Sequence, residues 1–123
     1  MIQGNKLEPG YMTVPGVVFV SPLLASVGLR EDQVAKGGMT AVVHQKETPD
    51  WYSVRRVGMT RSGYTILTEG KSGRIIGAHL LGYNADEMIN IFALAIRTGA
   101  TLADLQEMAW AYPTGGYDIN RIG

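Results

Sequence analysis

Apolar positions fall into short β-branched or alternating runs over the first two thirds of the chain and into helically spaced runs over the last third. Val17-Val18-Phe19-Val20 lies between Pro15-Gly16 and Ser21-Pro22, which predicts a strand punctuated at both ends. Arg30 to Lys36 is polar apart from Val34 and Ala35 and runs into Gly37-Gly38, the pattern of a short helix stopped by glycine, although Arg30 is a poor N-cap. Met39 to Gln45, Trp51 to Val57, Tyr64 to Thr68 and Arg74 to Leu81 read as further strands. Gly70-Lys71-Ser72-Gly73 between the last two predicts a β-hairpin. Asn84, with Glu87 three residues on, makes a capping-box-like start for a helix that Gly99 ends. Thr101, with Asp104 in the first turn, caps a second helix through about Trp110, and Pro113 stops it. The expected order is β-α-β-β-β-β-α-α, an α+β fold with an antiparallel sheet and helices packed on one face.

Residues 1–13 show no periodicity and hold Gly4, Pro9 and Gly10, so they are expected to be a leader or the remnant of a linker. Residues 14–123 are expected to form a single domain with a loose, glycine-rich tail after Gly115. The chain is 123 residues long with 46% apolar residues, enough for one ordinary core. Eleven basic and 11 acidic residues cancel, which removes the electrostatic reason to expect nucleic acid or an anionic membrane. The absence of cysteine excludes disulfides, CxxC redox pairs, iron–sulfur clusters and thiolate zinc sites within this sequence. Pro9 to Leu29 carries no charge, but Pro15, Gly16, Pro22 and Gly28 break it, and only Lys6 precedes it as a cation. It therefore reads as a buried strand followed by a turn rather than a membrane span or signal peptide, and a cytoplasmic location is expected.

Several short patterns suggest chemistry that their context does not support. Gly70-Lys71-Ser72 looks like the end of a phosphate-binding loop, yet the earlier glycine is replaced by Thr65 and a strand follows where a helix is needed. No GxGxxG occurs, so the sequence itself carries no dinucleotide fold. His44 and His79 stand 35 residues apart without metal-ligand spacing and read as structural or exposed. Arg55, Arg56 and Arg61 among Trp51, Tyr52 and Tyr64 could stack on single-stranded nucleic acid, but an exposed strand face has the same composition.

The helix over residues 84–98 is more informative. Ala85, Met88, Ile89, Phe92, Ala95 and Ile96 form one broad apolar face, and Ile91 and Leu94 carry it round the side. So apolar a helix is expected to touch both its own sheet and a second body, with Met88, Ile91, Phe92, Leu94 and Ala95 as candidate interface residues. Ala111-Tyr112-Pro113-Thr114-Gly115-Gly116-Tyr117-Asp118 follows the last helix as a turn, and by residue type alone Tyr112 reads as a tyrosine packed at a helix end.

Three stretches together resemble one family: VPGVVFVSPLLASVGL (14–29), GKSGRIIGAHLLGYNADEMINIFALAIRTGATLADL (70–105) and AYPTGGYD (111–118). In this combination and order the chain resembles the C-terminal dimerisation domain of FAD-dependent pyridine nucleotide–disulfide oxidoreductases, which include glutathione reductase, dihydrolipoamide dehydrogenase and mercuric reductase. The resemblance implies a homodimer interface, with FAD and NAD(P) domains lying upstream in a parent chain and no cofactor held by this one. The family motif His-Pro-Thr, followed by a glutamate, becomes Tyr112-Pro113-Thr114 here, with Tyr117 at the glutamate position and Asp118 next to it. Tyr112 is the candidate catalytic residue by position, Asp118 a weaker one, and Pro113 and Thr114 are expected near the partner subunit's flavin. An imidazole titrates at about 6.5 and a phenol at about 10, so a tyrosine in this place suits hydrogen-bond donation better than general-base work at neutral pH.

The implied function is homodimerisation of a flavin-dependent NAD(P)H oxidoreductase, with the C-terminal turn lent to the partner's flavin site and no catalysis by the isolated chain. Neither nucleic acid nor membrane is an expected partner. The alternative is a standalone interaction module that never meets a flavin.

Overall fold

The computed structural model describes residues 14–20, 22–51, 57–58, 61–112, 114 and 116–122. The elements are β1 (Gly16–Val18), β2 (Leu24–Gly28), α1 (Glu31–Lys36), β3 (Ala41–Glu47), β4 (Gly63–Glu69), β5 (Ile75–Leu81), α2 (Ala85–Thr98), α3 (Leu102–Glu107) and a closing 3-10 helix, Gly116–Arg121. The strands form one sheet in the order β1-β2-β5-β4-β3, with every neighbouring pair antiparallel. The expected α+β class and antiparallel sheet are what the chain adopts.

The element order differs in one respect. Two strands precede the first helix, where one was expected. Leu24–Gly28 reads as a turn because serine and glycine dilute its apolar pattern. Its register against β5, with Ala25 opposite Leu80 and Val27 opposite Ala78, nevertheless buries Ala25 and Val27 under α2. The apolar run at 17–20 was expected to be a buried strand. Instead β1 sits at the sheet edge with β2 as its neighbour, and Val18, Phe19 and Val20 are exposed. Most of the strand expected over 51–57 and all of the leader expected over 1–13 lie outside the described residues. Trp51 and Val57 themselves are in no strand.

Helix α2 lies across β2 and β5 and seals the core with Ala85, Ile89, Phe92 and Ala95. From the sheet, Ile66, Ala78 and Leu80 meet them. The expected capping box at Asn84 does not form. Asn84 takes a left-handed conformation, φ 66°, and its side chain makes no capping bond. Its carbonyl instead accepts from the Glu87 and Met88 N–H groups. The reason is directional: the chain must reverse between the end of β5 and α2, and Gly82 and Asn84 supply the positive φ values that do so. The other end behaves as expected. Gly99, φ 75°, donates to the Ile96 carbonyl, and Ala100 donates to Ala95.

Helix α3 starts as predicted. Thr101 Oγ1 accepts from Asp104 N–H at 3.0 Å, and Asp104 Oδ2 accepts from Thr101 N–H at 2.8 Å. It ends at Glu107 rather than near Trp110. The Trp110 indole folds back and donates to the Leu105 carbonyl at 2.7 Å, occupying an acceptor that a continuing helix would use. Among the described residues no helix is long and apolar enough to cross a membrane.

Candidate functional site

The C-terminal turn is built outward from the core. Ile119 and Ile122 are buried in the same cluster as Phe92, and Gln106 Nε2 donates to the Ile122 carbonyl, tying the 3-10 helix to α3. Gly116 presses against the Trp110 ring, where a β-carbon would come within 3.0 Å of ring carbon Cε3. Thr114 shapes the turn: its hydroxyl donates to the Ala111 carbonyl at 2.7 Å and accepts from Tyr117 N–H at 3.2 Å. Tyr112 stands on this base, 68% exposed. Its ring meets the Tyr117 ring edge to face, with centroids 4.7 Å apart and planes at 68°. Pro113, expected beside a flavin, lies outside the described residues.

The other candidate, Asp118, goes elsewhere. It is 5% exposed and lines a cavity of about 40 Å³ with Thr48, Trp51, Ser62 and Tyr64, among others. Tyr112 is not among the residues that line that cavity. The cavity wall is tied together by stacked rings. Trp51 and Tyr64 lie 5.8 Å apart, and the Arg121 guanidinium sits 5.3 Å from the Trp51 centroid. Both rings are buried, so they offer no exposed platform on which a base could stack. Tyr52, Arg55 and Arg56 lie outside the described residues.

A wider groove of about 340 Å³ crosses the sheet near Gln45, Arg61, Thr65 and His79. His79 Nε2 is 3.0 Å from the Leu29 carbonyl and Nδ1 is 3.1 Å from Ser26 Oγ, which makes it a structural histidine. His44 Nε2 pairs with Thr68 Oγ1 at 3.2 Å. The described residues contain no group of His, Asp and Glu side chains that could hold a metal. Lys71-Ser72 belongs to a hairpin turn. Ser72 Oγ donates to Glu69 Oε1 at 2.6 Å, and Arg74 Nη2 donates to the same oxygen at 3.3 Å. The Ser72 bond first, and then Arg74, hold the Glu69 carboxyl below its usual range.

The five candidate interface residues on α2 separate in the structure. Phe92 and Ala95 are enclosed by the chain's own sheet, so they are not available as an external surface. Met88 and Ile91 are half-buried, and Leu94 is 62% exposed among Glu87, Asn90 and Arg97. The larger exposed apolar surface lies instead at β1, where Phe19 is 76% exposed between Val18 and Val20. Sequence reasoning did not anticipate the ring contact between Tyr112 and Tyr117. The available signal was two aromatic residues flanking a Pro-Thr-Gly-Gly turn.

The architecture is thus an antiparallel sheet sealed by one long helix, with the exposed Tyr112 carried on the C-terminal turn. The chain belongs to the pyridine nucleotide-disulphide oxidoreductase dimerisation-domain family, whose model matches residues 14–120. An uncharacterized 19.7 kDa protein of a mercuric resistance operon in Staphylococcus aureus is 37% identical over 119 residues, covering 97% of this chain and 66% of that protein. Dihydrolipoyl dehydrogenase of Bacillus subtilis is 33% identical over 115 residues, 94% of this chain and 24% of that enzyme. The HOCl-induced flavoprotein disulfide reductase RclA from Escherichia coli superposes with a TM-score of 0.87 at 26% identity, over 98% of this chain and 28% of that one. The chain thus spans 66% of the staphylococcal relative's length and about a quarter of the flavoenzymes it matches. The positions at which the resemblance expects histidine and glutamate hold Tyr112 and Tyr117, a contacting aromatic pair.

Proposed function

We propose that this chain joins two identical subunits of a flavin-dependent NAD(P)H oxidoreductase and lends its C-terminal turn to the partner subunit's flavin site. The supporting observation is the turn itself: an exposed Tyr112 mounted on a segment pinned to the core by Ile119 and Ile122. FAD and NAD(P)H would be bound by other domains of the parent, where the flavin supplies the electron-transfer chemistry. For this chain the fit is that of a lining group. Tyr112 has an exposed phenol able to donate a hydrogen bond, and Thr114 stands beside it to hold the turn. The isolated chain has no catalytic role in this reading. This reading assigns Met88, Ile91 and Leu94, the α2 candidates that are not fully buried, to the contact with the second copy. A cytoplasmic location belongs to the same proposal.

The deciding experiment is sedimentation equilibrium of the purified chain together with its absorbance spectrum. A dimer that purifies without flavin is expected. A monomer at all concentrations, or a chain that purifies yellow with stoichiometric FAD, would sink the proposal.

One observation favours a second reading, a standalone interaction module. The staphylococcal relative is described as a 19.7 kDa protein, and the match covers 66% of it, which leaves about a third of its length for anything else.

A further inference from the structure

We propose that Tyr117 is a positioning residue for Tyr112, holding the exposed phenol in one orientation so that the two tyrosines act as a unit. The inference deepens the flavin-site reading above and rests on it for what the phenol finally touches.

Tyr117 is well placed to fix its neighbour because its own backbone is fixed on both sides. Its N–H is held by Thr114, through the carbonyl at 3.2 Å and the hydroxyl at 3.2 Å. The next residues, Asp118 and Ile119, are buried. Tyr112 has far less support, being 68% exposed. An unsupported surface tyrosine distributes itself over its staggered χ1 wells. The edge-to-face contact at 4.7 Å and 68° selects one of them. Such a ring pair favours the contacting arrangement about 2- to 10-fold. The hydroxyl of Thr114 sets the distance: by bonding both Ala111 and Tyr117 it brings the ends of the turn together and the two rings into reach. The phenol therefore leaves the surface in a defined direction, which is what a donor aimed at a partner's site requires.

The test uses the full chain with carbon-13-labelled tyrosine rings. In the wild type the Tyr112 ring signals should be displaced from those of a free tyrosine by the ring current of Tyr117. Tyr117→Leu should abolish the displacement, Tyr117→Phe should keep it, and the Ile119 and Ile122 methyl signals should stay in place in both. An undisplaced Tyr112 in the wild type, or a displacement that survives Tyr117→Leu, overturns the proposal. Should Tyr117→Leu disturb the isoleucine signals, Tyr112→Leu decides, since the Tyr117 ring signals must then move in reciprocal fashion. In a flavin-bearing assembly, Tyr117→Leu should lower kcat by the same factor as Tyr112→Leu, and the double variant should be no slower. Unchanged kcat, combined with the expected ring signals, overturns the flavin-site reading and upholds the ring contact.

Discussion

The carbonyl oxygen of Leu29 lies 3.0 Å from Nε2 of His79 and accepts a hydrogen bond from it. A carbonyl can only accept, so Nε2 carries a hydrogen, and in the neutral ring Nδ1 accepts from the Ser26 hydroxyl. The link clamps the segment after β2 over β5. The same carbonyl would stand 2.2 Å from a β-carbon on Gly77. Gly77→Ala must therefore push the backbone of Leu29 away, at a cost of about 1–3 kcal/mol. Urea denaturation of the variant should show that loss, and an unchanged midpoint would disprove the close approach.

Phe92 belongs to the chain's own core. Phe92→Ala should cost about 3–5 kcal/mol, by lost burial and the cavity left behind. In thermal unfolding this appears as a large fall in Tm even at dilutions where any dimer has dissociated. A variant destabilised only under dimeric conditions would return Phe92 to the interface.

Leu94→Glu places a charge on the outer face of α2 without touching the core. We expect it to leave folding intact and weaken self-association at least tenfold in sedimentation equilibrium. Phe19→Glu is the comparison, because Phe19 leads the other exposed apolar surface. Should only Phe19→Glu dissociate the dimer, the β1 edge rather than α2 joins the copies.

Asn84 serves α2 through its left-handed backbone, not its side chain. Asn84→Gly should be tolerated, and Asn84→Ala should cost about 1 kcal/mol for the strained φ. Serine, a good side-chain cap in ordinary helix starts, should also destabilise here. A stabilising Asn84→Ser would show that a side-chain cap does form.

The Asp104 carboxyl is held below its ordinary value of 3.8, first by the backbone N–H of Thr101 and then by the Thr101 side chain. A depressed folded-state value means that the ionised cap stabilises the fold above the unfolded value and that this support fades as pH falls through the lower, folded one. Stability measured from pH 5 down to 2 should therefore fall less steeply in Asp104→Asn than in the wild type. Thr101→Ala should cost about 1 kcal/mol at neutral pH. Parallel acid profiles for wild type and Asp104→Asn would remove Asp104 from the cap.

The hairpin at 70–73, the glycine stop at Gly99 and the Thr101 cap were all legible in the sequence, because each is decided by residues within one or two turns of one another. Leu24–Gly28 was not. Its strand character comes from pairing with β5, from Leu24 opposite Leu81 to Gly28 opposite Gly77, far along the chain, and its own serine and glycine argue against it. The family pattern drew attention to Tyr112 on the C-terminal turn, but nothing local showed that Asp118 would turn inward while Tyr117 met Tyr112.

The sequence by itself determined the class of fold, the hairpin, the apolar helix and the family, since these follow from periodicity, punctuation and motif spacing along the chain. The tertiary structure alone decided which side of that helix is spent on the chain's own core, leaving Leu94 exposed while Phe92 and Ala95 are enclosed. It also decided that the Val17–Val20 run is an edge and not a centre, and that the terminal tyrosines touch. These are properties of packing: burial depends on which surfaces meet, and two segments with the same local pattern differ only in what lies across from them.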